Sequence, residues 1–282
     1  MPKLPLSPTS VWGVVKEIRV SDGDLRPLLV GGAPEHAAAI HAALAEGADP
    51  EALRDLSGHA PSAYDLEGAS VLVWAVAAPA PGEEDEQAFE LAARKRVGVV
   101  CVLFGTSDGE LPSVPYVLDT DLVPVRSGEP LPVEKIAERI ADRAGETAHL
   151  LAARIPALRP PVVDAIVKHF ALQNGVLGVA IFIPGADFPV LTLNQIRMVL
   201  RIAAAHGEEL YRERAFEILS VVAAGLGFRT VARHLVGAVP GLGWAVKGGV
   251  AYGATLAVGE AAAAYFAAGG TRMIERSVRS RS

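Results

Sequence analysis

Residues 28–38 read Leu28-Leu29-Val30-Gly31-Gly32-Ala33-Pro34-Glu35-His36-Ala37-Ala38, a short apolar run followed by two glycines and an alanine-rich segment. A short run of Val and Leu that ends in glycine is typical of a buried β-strand, and the alanine-rich segment that follows is typical of a helix. The pattern predicts a strand that passes through a tight turn into a helix.

The same alternation recurs over the first half of the chain. Apolar strands are predicted at 28–30, 71–77, 97–103 and 122–125, and helices at 35–45, 84–96 and 133–153. Short strands rich in Val and Leu that alternate with helices indicate a mostly parallel sheet covered on both faces. The first half is therefore predicted to be an α/β domain.

The second half reads as helix throughout. Helices are predicted at 162–173, 175–183, 192–206, 209–225, 229–237 and 244–268. Two apolar runs are interrupted by Pro184-Gly185 and by Pro240-Gly241. Proline lacks the amide proton that a helix interior needs, and glycine adopts left-handed backbone angles. Each pair is therefore predicted to form the corner of a helical hairpin.

Four regions follow from these patterns. They are a leader with a short amphipathic helix at 1–25, the α/β domain at 26–158, an all-α hydrophobic domain at 159–270 and a basic tail at 271–282. The run Arg159-Pro160-Pro161 is predicted to be a stiff linker between the two domains. The leader is expected to dock on either of them.

The composition is strongly apolar, with 51% hydrophobic residues and a mean hydropathy of +0.32. Residues 1–130 carry 9 Lys and Arg against 20 Asp and Glu, whereas residues 131–282 carry 17 against 12. A basic, apolar second half next to a basic tail favours an anionic membrane surface. Nucleic acid is not expected as a partner, because the tail has no interleaved aromatic residues and the net charge is −6.

Compartment and membrane topology give further expectations. The start of the chain lacks the apolar segment of a secretory signal, so the protein is expected to face the cytoplasm. Residues 248–270 contain only one charge, Glu260, which is expected to pair with Arg229, Arg233 or Lys247. That segment fits either a membrane hairpin or a tightly packed soluble bundle. The single cysteine, Cys101, is expected to be a buried strand residue.

The turn after the first strand lacks the groups that hold a nucleotide triphosphate. A phosphate loop needs a second glycine, a lysine and a hydroxyl, and a loop that starts at Gly31 has His36, Ala37 and Ala38 in those places. Near the expected base-reading loop only Asp108 is present, and a lone aspartate is more typical of a turn. The sequence therefore predicts that Gly31, Gly32, His36, Ala37 and Asp108 are remnants of a degenerate loop that binds no cofactor or metal.

Strand order and loop positions over 26–155 resemble a degenerate small GTPase domain of the Era and dynamin-like kind. Residues 160–268 are similar to the YcjF-type helical domain, through Ile183-Pro184-Gly185-Ala186-Asp187, Leu193-Asn194-Gln195-Ile196-Arg197-Met198 and Pro240-Gly241-Leu242-Gly243. The resemblance implies a GTPase shape without its activity, because the signature residues are missing. It also implies association with a membrane.

Polar residues of the second domain give one candidate site. Asp187 follows the first Pro-Gly pair, and Arg197 and Arg201 lie four residues apart on one predicted helix face. One interpretation is a local Asp-Arg pair that fixes the hairpin. The other is that Asp187, Asn194, Gln195 and Arg197 form a buried polar site that senses a ligand or partner.

These patterns predict a non-enzymatic, membrane-associated protein that acts as a pseudo-GTPase-like scaffold or regulator. Its expected partners are another protein, or further copies of itself, and the cytoplasmic membrane. Two alternatives remain open, a nucleotide-binding switch with an altered phosphate loop and a soluble cytoplasmic oligomer that binds a protein partner.

Overall fold

The computed structural model describes residues 8–22, 26–77, 80–106, 111–180, 188–225 and 244–270. Contacts divide the chain into two units, each of which folds around its own core. The sheet unit is Asp24–Val162, and the helical unit combines Met1–Gly23 with Val163–Ser282. The helical unit is therefore discontinuous in sequence, since the whole sheet unit separates its first helix from the others.

The sheet unit contains five parallel strands in the order β2-β1-β3-β4-β5. They are β1 (Leu28–Gly32), β2 (Leu53–Ser57), β3 (Val71–Val76), β4 (Gly98–Thr106) and β5 (Leu122–Arg126). The predicted α/β architecture with a parallel sheet is confirmed. This strand order is that of flavodoxin-like doubly wound sheets. The finer GTPase-like identity is not confirmed by it.

Helices cover both faces of the sheet. They are α2 (Pro34–Ala45), α3 (Ala63–Leu66), α4 (Glu83–Lys95), α5 (Val133–Ala144) and α6 (Ala148–Arg154). Side chains alternate across the pleat, so Leu72 and Cys101 pack with Phe89 of α4 on one face. The intervening strand residues are buried on the opposite side, where α2 and α5 contact the sheet. Cys101 is fully buried, as predicted.

The sheet unit differs from the sequence prediction at one edge strand and in one helix. The edge strand β2 was not predicted, because only Leu53 and Leu56 of its five residues are buried and no apolar run marks it. The helix predicted at 133–153 divides at Gly145, whose φ of +55° ends α5 before a short 3₁₀ turn and α6. Left-handed angles of this kind favour glycine and stop an α-helix.

The helical unit contains α1 (Pro8–Asp22), α8 (Phe188–Ala205), α9 (Arg212–Gly225), α10 (Trp244–Ala267) and most of α7 (Arg159–Ala180). The predicted linker at Pro160 and Pro161 is wrong, since both prolines lie in the first turn of α7. The first turn has no intrahelical acceptor for its amides, so proline is tolerated there. The helices predicted at 162–173 and 175–183 are likewise one continuous helix through Gly175.

Helices α7 and α10 pack antiparallel at positions where side chains are absent. A Cβ atom at Gly248 would lie 2.5 Å from Val179 Cγ2, and one at Gly259 would lie 2.7 Å from the Val167 methyl groups. A Cβ at Gly175 would lie 3.2 Å from that of Tyr252. Small residues let helix backbones approach closely. The glycines of this unit therefore serve helix packing, whereas the predicted hairpins at Pro184-Gly185 and Pro240-Gly241 lie outside the described residues.

Helix α1 belongs to the helical unit, where it contacts α8 and α9. Its residues Val11, Val14, Val15 and Ile18 are at most 2% exposed. Their spacing of three and four residues places them on one helix face. The leader helix is thus an integral part of this core, and the charged Glu17 lies beside it.

Candidate functional site

The carboxyl ends of β1 and β3 meet where a doubly wound sheet of this order usually binds its ligand. In this chain the backbone of the two strands stays paired beyond that point, since the Ala33 amide donates to the Ala75 carbonyl at 2.8 Å. Gly32 has φ of +100°, and a Cβ atom there would lie 2.2 Å from the Ala75 oxygen. Glycine at this position permits close contact between two strands of the protein itself.

The residues predicted to form a degenerate phosphate loop lie partly in strand β1 and partly in helix α2. Gly31 is the fourth residue of β1, and a Cβ atom there would lie 2.6 Å from the ring of Trp74. Ala37 is fully buried on the core face of α2. The His36 ring stacks on Phe104 of β4, with centroids 3.9 Å apart and planes at 4°. Asp108 lies outside the described residues.

The acidic run at the start of α4 has a structural role. Trp74 Nε1 donates to Asp85 Oδ1 at 2.8 Å, and the Gly82 amide donates to Asp85 Oδ2 at 2.9 Å. Carboxylates in the first turn of a helix are favoured by the helix dipole. Asp85 therefore caps α4 and holds the indole that covers Gly31.

The second candidate site is a buried cluster of polar side chains where α7, α8 and α10 meet. Asn174 Nδ2 donates to Thr255 Oγ1 at 2.9 Å, and Asn194 Nδ2 donates to Asn174 Oδ1 at 3.0 Å. Gln195 Nε2 also donates to Thr255 Oγ1, at 3.3 Å, while that hydroxyl donates to the Ala251 carbonyl at 2.8 Å. We call Asn174, Asn194, Gln195 and Thr255 the interior cluster.

The interior cluster lies in an apolar environment. Asn174 and Thr255 are fully buried and Asn194 is 4% exposed. A buried amide that lost its partner would cost roughly 1–3 kcal/mol, so each hydrogen bond of the cluster constrains the helix that carries it. The cluster fixes how three helices with few distinctive side chains pack together.

Arg197 connects the interior cluster to the surface. Its Nη1 donates to Asn194 Oδ1 at 3.4 Å, and its Nε lies 3.4 Å from Glu17 Oε2 of α1. Arg201, one turn further along α8, donates through Nη2 to Glu17 Oε1 at 3.5 Å. The Arg201 guanidinium also lies over the Phe170 ring, 5.6 Å from its centroid. Both arginines therefore face the same carboxylate.

The structure brings together three of the predicted site residues, Asn194, Gln195 and Arg197. Asp187, predicted to complete that site, lies outside the described residues, as do Pro184, Gly185, Pro240 and Gly241. The sequence analysis did not include Asn174, Thr255 or Glu17. A polar residue at a core position of an apolar helix is a signal for the first two, whereas no local pattern points to Glu17.

Glu260 is exposed on α10. Of its expected partners, Arg229 and Arg233 lie outside the described residues, and the structure describes only the backbone of Lys247. The expected pairing therefore stays a prediction.

A separate buried ion pair, Arg214 with Glu208, lies at the amino-terminal end of α9. Arg214 Nη2 lies 3.3 Å from Glu208 Oε2, and the two side chains are only 11% and 8% exposed. Burial lowers the pKa of Arg214, but the hydrogen bond to Glu217 and the charge of Glu208 outweigh it and raise that pKa overall. Burial has the opposite effect on Tyr265 close to this pair, whose pKa it raises because it disfavours the charged phenolate. The arrangement keeps Arg214 charged in the protein interior.

Metal and thiol chemistry find little support in the part of the chain that is described. It contains no group of three or more His, Cys, Asp or Glu side chains placed to hold a metal ion. Burial raises the pKa of the Cys101 thiol to about 12, so the thiolate that would act as a nucleophile does not form near neutral pH.

Comparison with known proteins leaves the chain without an assigned relative. No family model, no curated protein and no solved structure matches it.

Proposed function

We propose that this protein is a non-catalytic scaffold or regulatory protein that associates with the cytoplasmic membrane through its helical unit. Its sheet unit would be a pseudo-GTPase-like module that serves as a protein-binding surface. The proposal needs no cofactor, and it assigns recognition rather than chemistry to the chain.

The end of β1 supports the absence of triphosphate chemistry. The places of the lysine and the hydroxyl of a phosphate loop are taken by Ala37, which is buried, and Ala38, which is exposed. Exposed Glu35 adds a negative charge beside them. Ala37, Ala38 and Glu35 offer a phosphate no compensating positive charge. Gly32, at the end of β1, packs against Ala75 of β3.

One observation carries the membrane proposal. Within the described residues, one helical segment, Gly248–Ala267, is long and apolar enough to cross a membrane, and only 22% of its apolar window is buried inside the protein. A span of the hydrocarbon core needs about 20 apolar residues. Exposed apolar side chains also occur on α7, where Leu172 is 63% and Val176 60% exposed. A bilayer would remove this apolar surface from water.

Flotation of the purified full-length protein with lipid vesicles tests this proposal. We expect the protein to float with the vesicles and to resist a high-salt wash. Ala264→Glu places a charge on the exposed face of α10, and it should reduce the bound fraction about tenfold or more, because a charged side chain is costly in hydrocarbon. Ala93→Glu, at an exposed position of α4, is the matched control.

If the wild-type protein remains entirely in the vesicle-free fraction after flotation, that result would contradict membrane association. It would favour the alternative of a soluble oligomer that binds a protein partner. The nucleotide-binding switch is the second candidate, and the strand order favours it, because doubly wound sheets of this order bind ligands at the carboxyl ends of their strands. Titration with a fluorescent GTP analogue to near-millimolar concentration decides between them. Saturable binding would replace the scaffold proposal with the switch.

A further inference from the structure

Arg197 and Arg201 form a pair of converging cations on α8. They are one helical turn apart, so their side chains share a face. Their guanidinium groups approach opposite oxygens of the Glu17 carboxylate, at 3.4 Å for Arg197 Nε and 3.5 Å for Arg201 Nη2. The side chains are 34% and 18% exposed, respectively. Two partly buried positive charges therefore share one negative group.

Both arginines are held in place by groups other than Glu17. The Arg201 guanidinium lies over the Phe170 ring, and Arg197 donates to Asn194 of the interior cluster. Contact between a guanidinium and an aromatic face is favourable, and the planar fork of arginine then retains its orientation. The pair is therefore positioned in advance for an anion.

The carboxylate does not saturate this pair. Charge-assisted hydrogen bonds between nitrogen and oxygen are about 2.7–2.9 Å long, clearly shorter than both contacts to Glu17. Arg197 Nε is buried and has no hydrogen-bond partner among the described residues. A group with three or four oxygens and a larger negative charge would satisfy donors that one carboxylate leaves unsatisfied. Phosphate has this geometry, and the arginine fork matches it.

A competing anion can displace the Glu17 carboxylate from Arg197 and Arg201. Glu17 lies on α1, which packs on α8 and α9 through one apolar face. The Glu17 side chain is 47% exposed, and ion pairs exposed to this degree contribute little to stability. A competing anion therefore has a small electrostatic contribution to overcome.

We propose that Arg197 and Arg201 bind a phosphate group in competition with Glu17 of α1. The phosphate belongs to a lipid headgroup or to a soluble phosphate ester, and its binding loosens α1 from the helical unit. This site is independent of the proposed scaffold function, because it concerns α1 and α8 rather than the apolar face of α10 or the sheet.

Calorimetric titration of the full-length protein with inorganic phosphate, at constant ionic strength set with chloride, tests the site. We expect saturable binding that Glu17→Gln tightens about three- to fivefold, since removing an exposed competing charge has an effect of that size. Arg201→Gln should abolish it, and Arg201→Lys should weaken it because lysine lacks the fork. Glu213→Gln removes an exposed charge from α9 and is the matched control that leaves the affinity unchanged.

Hydrogen exchange of the α1 amides at 8–22 supplies a readout of the competition. Phosphate should accelerate their exchange in the wild type, and Glu17→Gln should accelerate it without phosphate. Vesicles of phosphatidylglycerol, compared with phosphatidylcholine, distinguish the sources. An effect of both the vesicles and inorganic phosphate assigns a lipid headgroup, whereas an effect of inorganic phosphate alone assigns a soluble ester.

The proposal is overturned if neither phosphate nor phosphatidylglycerol binds saturably, or if wild type, Glu17→Gln and Arg201→Gln bind phosphate equally. A misfolded variant cannot imitate the tighter binding expected of Glu17→Gln. Vesicle flotation that fails while phosphate still binds at the arginine pair would refute the membrane proposal alone.

Discussion

The two units achieve a unique packing by different means. In the sheet unit, β1 and β3 are joined by a continuous ladder of backbone hydrogen bonds, and apolar side chains alternate between two cores. In the helical unit α7 and α10 approach each other closely at glycines, and hydrogen bonds of the interior cluster link α7, α8 and α10. Small residues allow many similar packings of two helices, whereas a buried polar contact permits few. A single buried polar residue is known to fix helix register in coiled coils, and we infer the same role here.

The largest expected effect belongs to the sheet unit. Gly32→Ala should lower the free energy of unfolding by about 3 kcal/mol or more, because the residue has positive φ and its Cβ would overlap the Ala75 carbonyl. Gly58→Ala is the control, since Gly58 has φ of +85° with nothing within 4 Å of a Cβ. That control should lose only about 1–2 kcal/mol from backbone strain. Chemical denaturation followed by tryptophan fluorescence measures both, and equal losses would refute the steric argument.

An intermediate effect is expected in the helical unit. Asn174→Leu should cost about 1–3 kcal/mol, because Asn194 Nδ2 then loses its buried acceptor and Thr255 Oγ1 loses the donor from α7. Replacing Asn174, Asn194 and Thr255 together, by Leu, Leu and Val, should cost less than the single change. The buried amides and the hydroxyl are then all removed, and Gln195 and Arg197, which lose a hydrogen-bond partner, are only partly buried. Thermal unfolding measures the stabilities. A triple variant as unstable as the sum of its parts would show that the cluster adds stability and not only specificity.

Near neutral pH, the smallest expected effect concerns the titration of Cys101 in the sheet core. Burial raises its pKa to about 12 from a reference of 9.0, so the folded state retains the thiol proton where the unfolded state releases it. This contribution to stability is complete below pH 9 and is lost as the pH rises towards 12. The difference in stability between wild type and Cys101→Ala should therefore shrink over that range. Iodoacetamide should leave the native thiol unmodified at pH 8, and rapid labelling there would contradict its burial.

Most of the sheet unit could be predicted from sequence, because its central strands are unbroken apolar runs. The edge strand β2 could not be predicted, because Arg54 and Asp55 in its middle are exposed and only Leu53 and Leu56 are buried. The order of the strands within the sheet could not be predicted from the hydrophobic pattern either, because β1 pairs with β3, about forty positions away in sequence.

In the helical unit, proline and glycine were unreliable signals for the ends of helices. Gly175 lies inside α7, where its missing side chain accommodates Tyr252 and Gly248 of α10. Its neighbour Asn174, whose type often marks a loop, is fully buried and hydrogen-bonded to Thr255. Local sequence does not distinguish a glycine that ends a helix from one that lets another helix approach.

Only part of the interior cluster and its neighbours could be predicted from the sequence. Asn194, Gln195 and Arg197 follow one another in an apolar helix and attract notice there, whereas Thr255 is a single hydroxyl among alanines and glycines. Glu17 lies 180 residues before Arg197, and its role depends entirely on the tertiary fold.

The discontinuity of the helical unit has a consequence for biosynthesis. Helix α1 leaves the ribosome before the helices it packs against, and the surface it covers on α9 is complete only after Gly225 has been translated. At roughly 5–20 residues per second, the nascent helix waits on the order of 10–40 s with its valine face uncovered. The intervening sheet unit has time to fold in that interval, so a chaperone that recognises short apolar segments would meet the uncovered face of α1 before α8 and α9 are made.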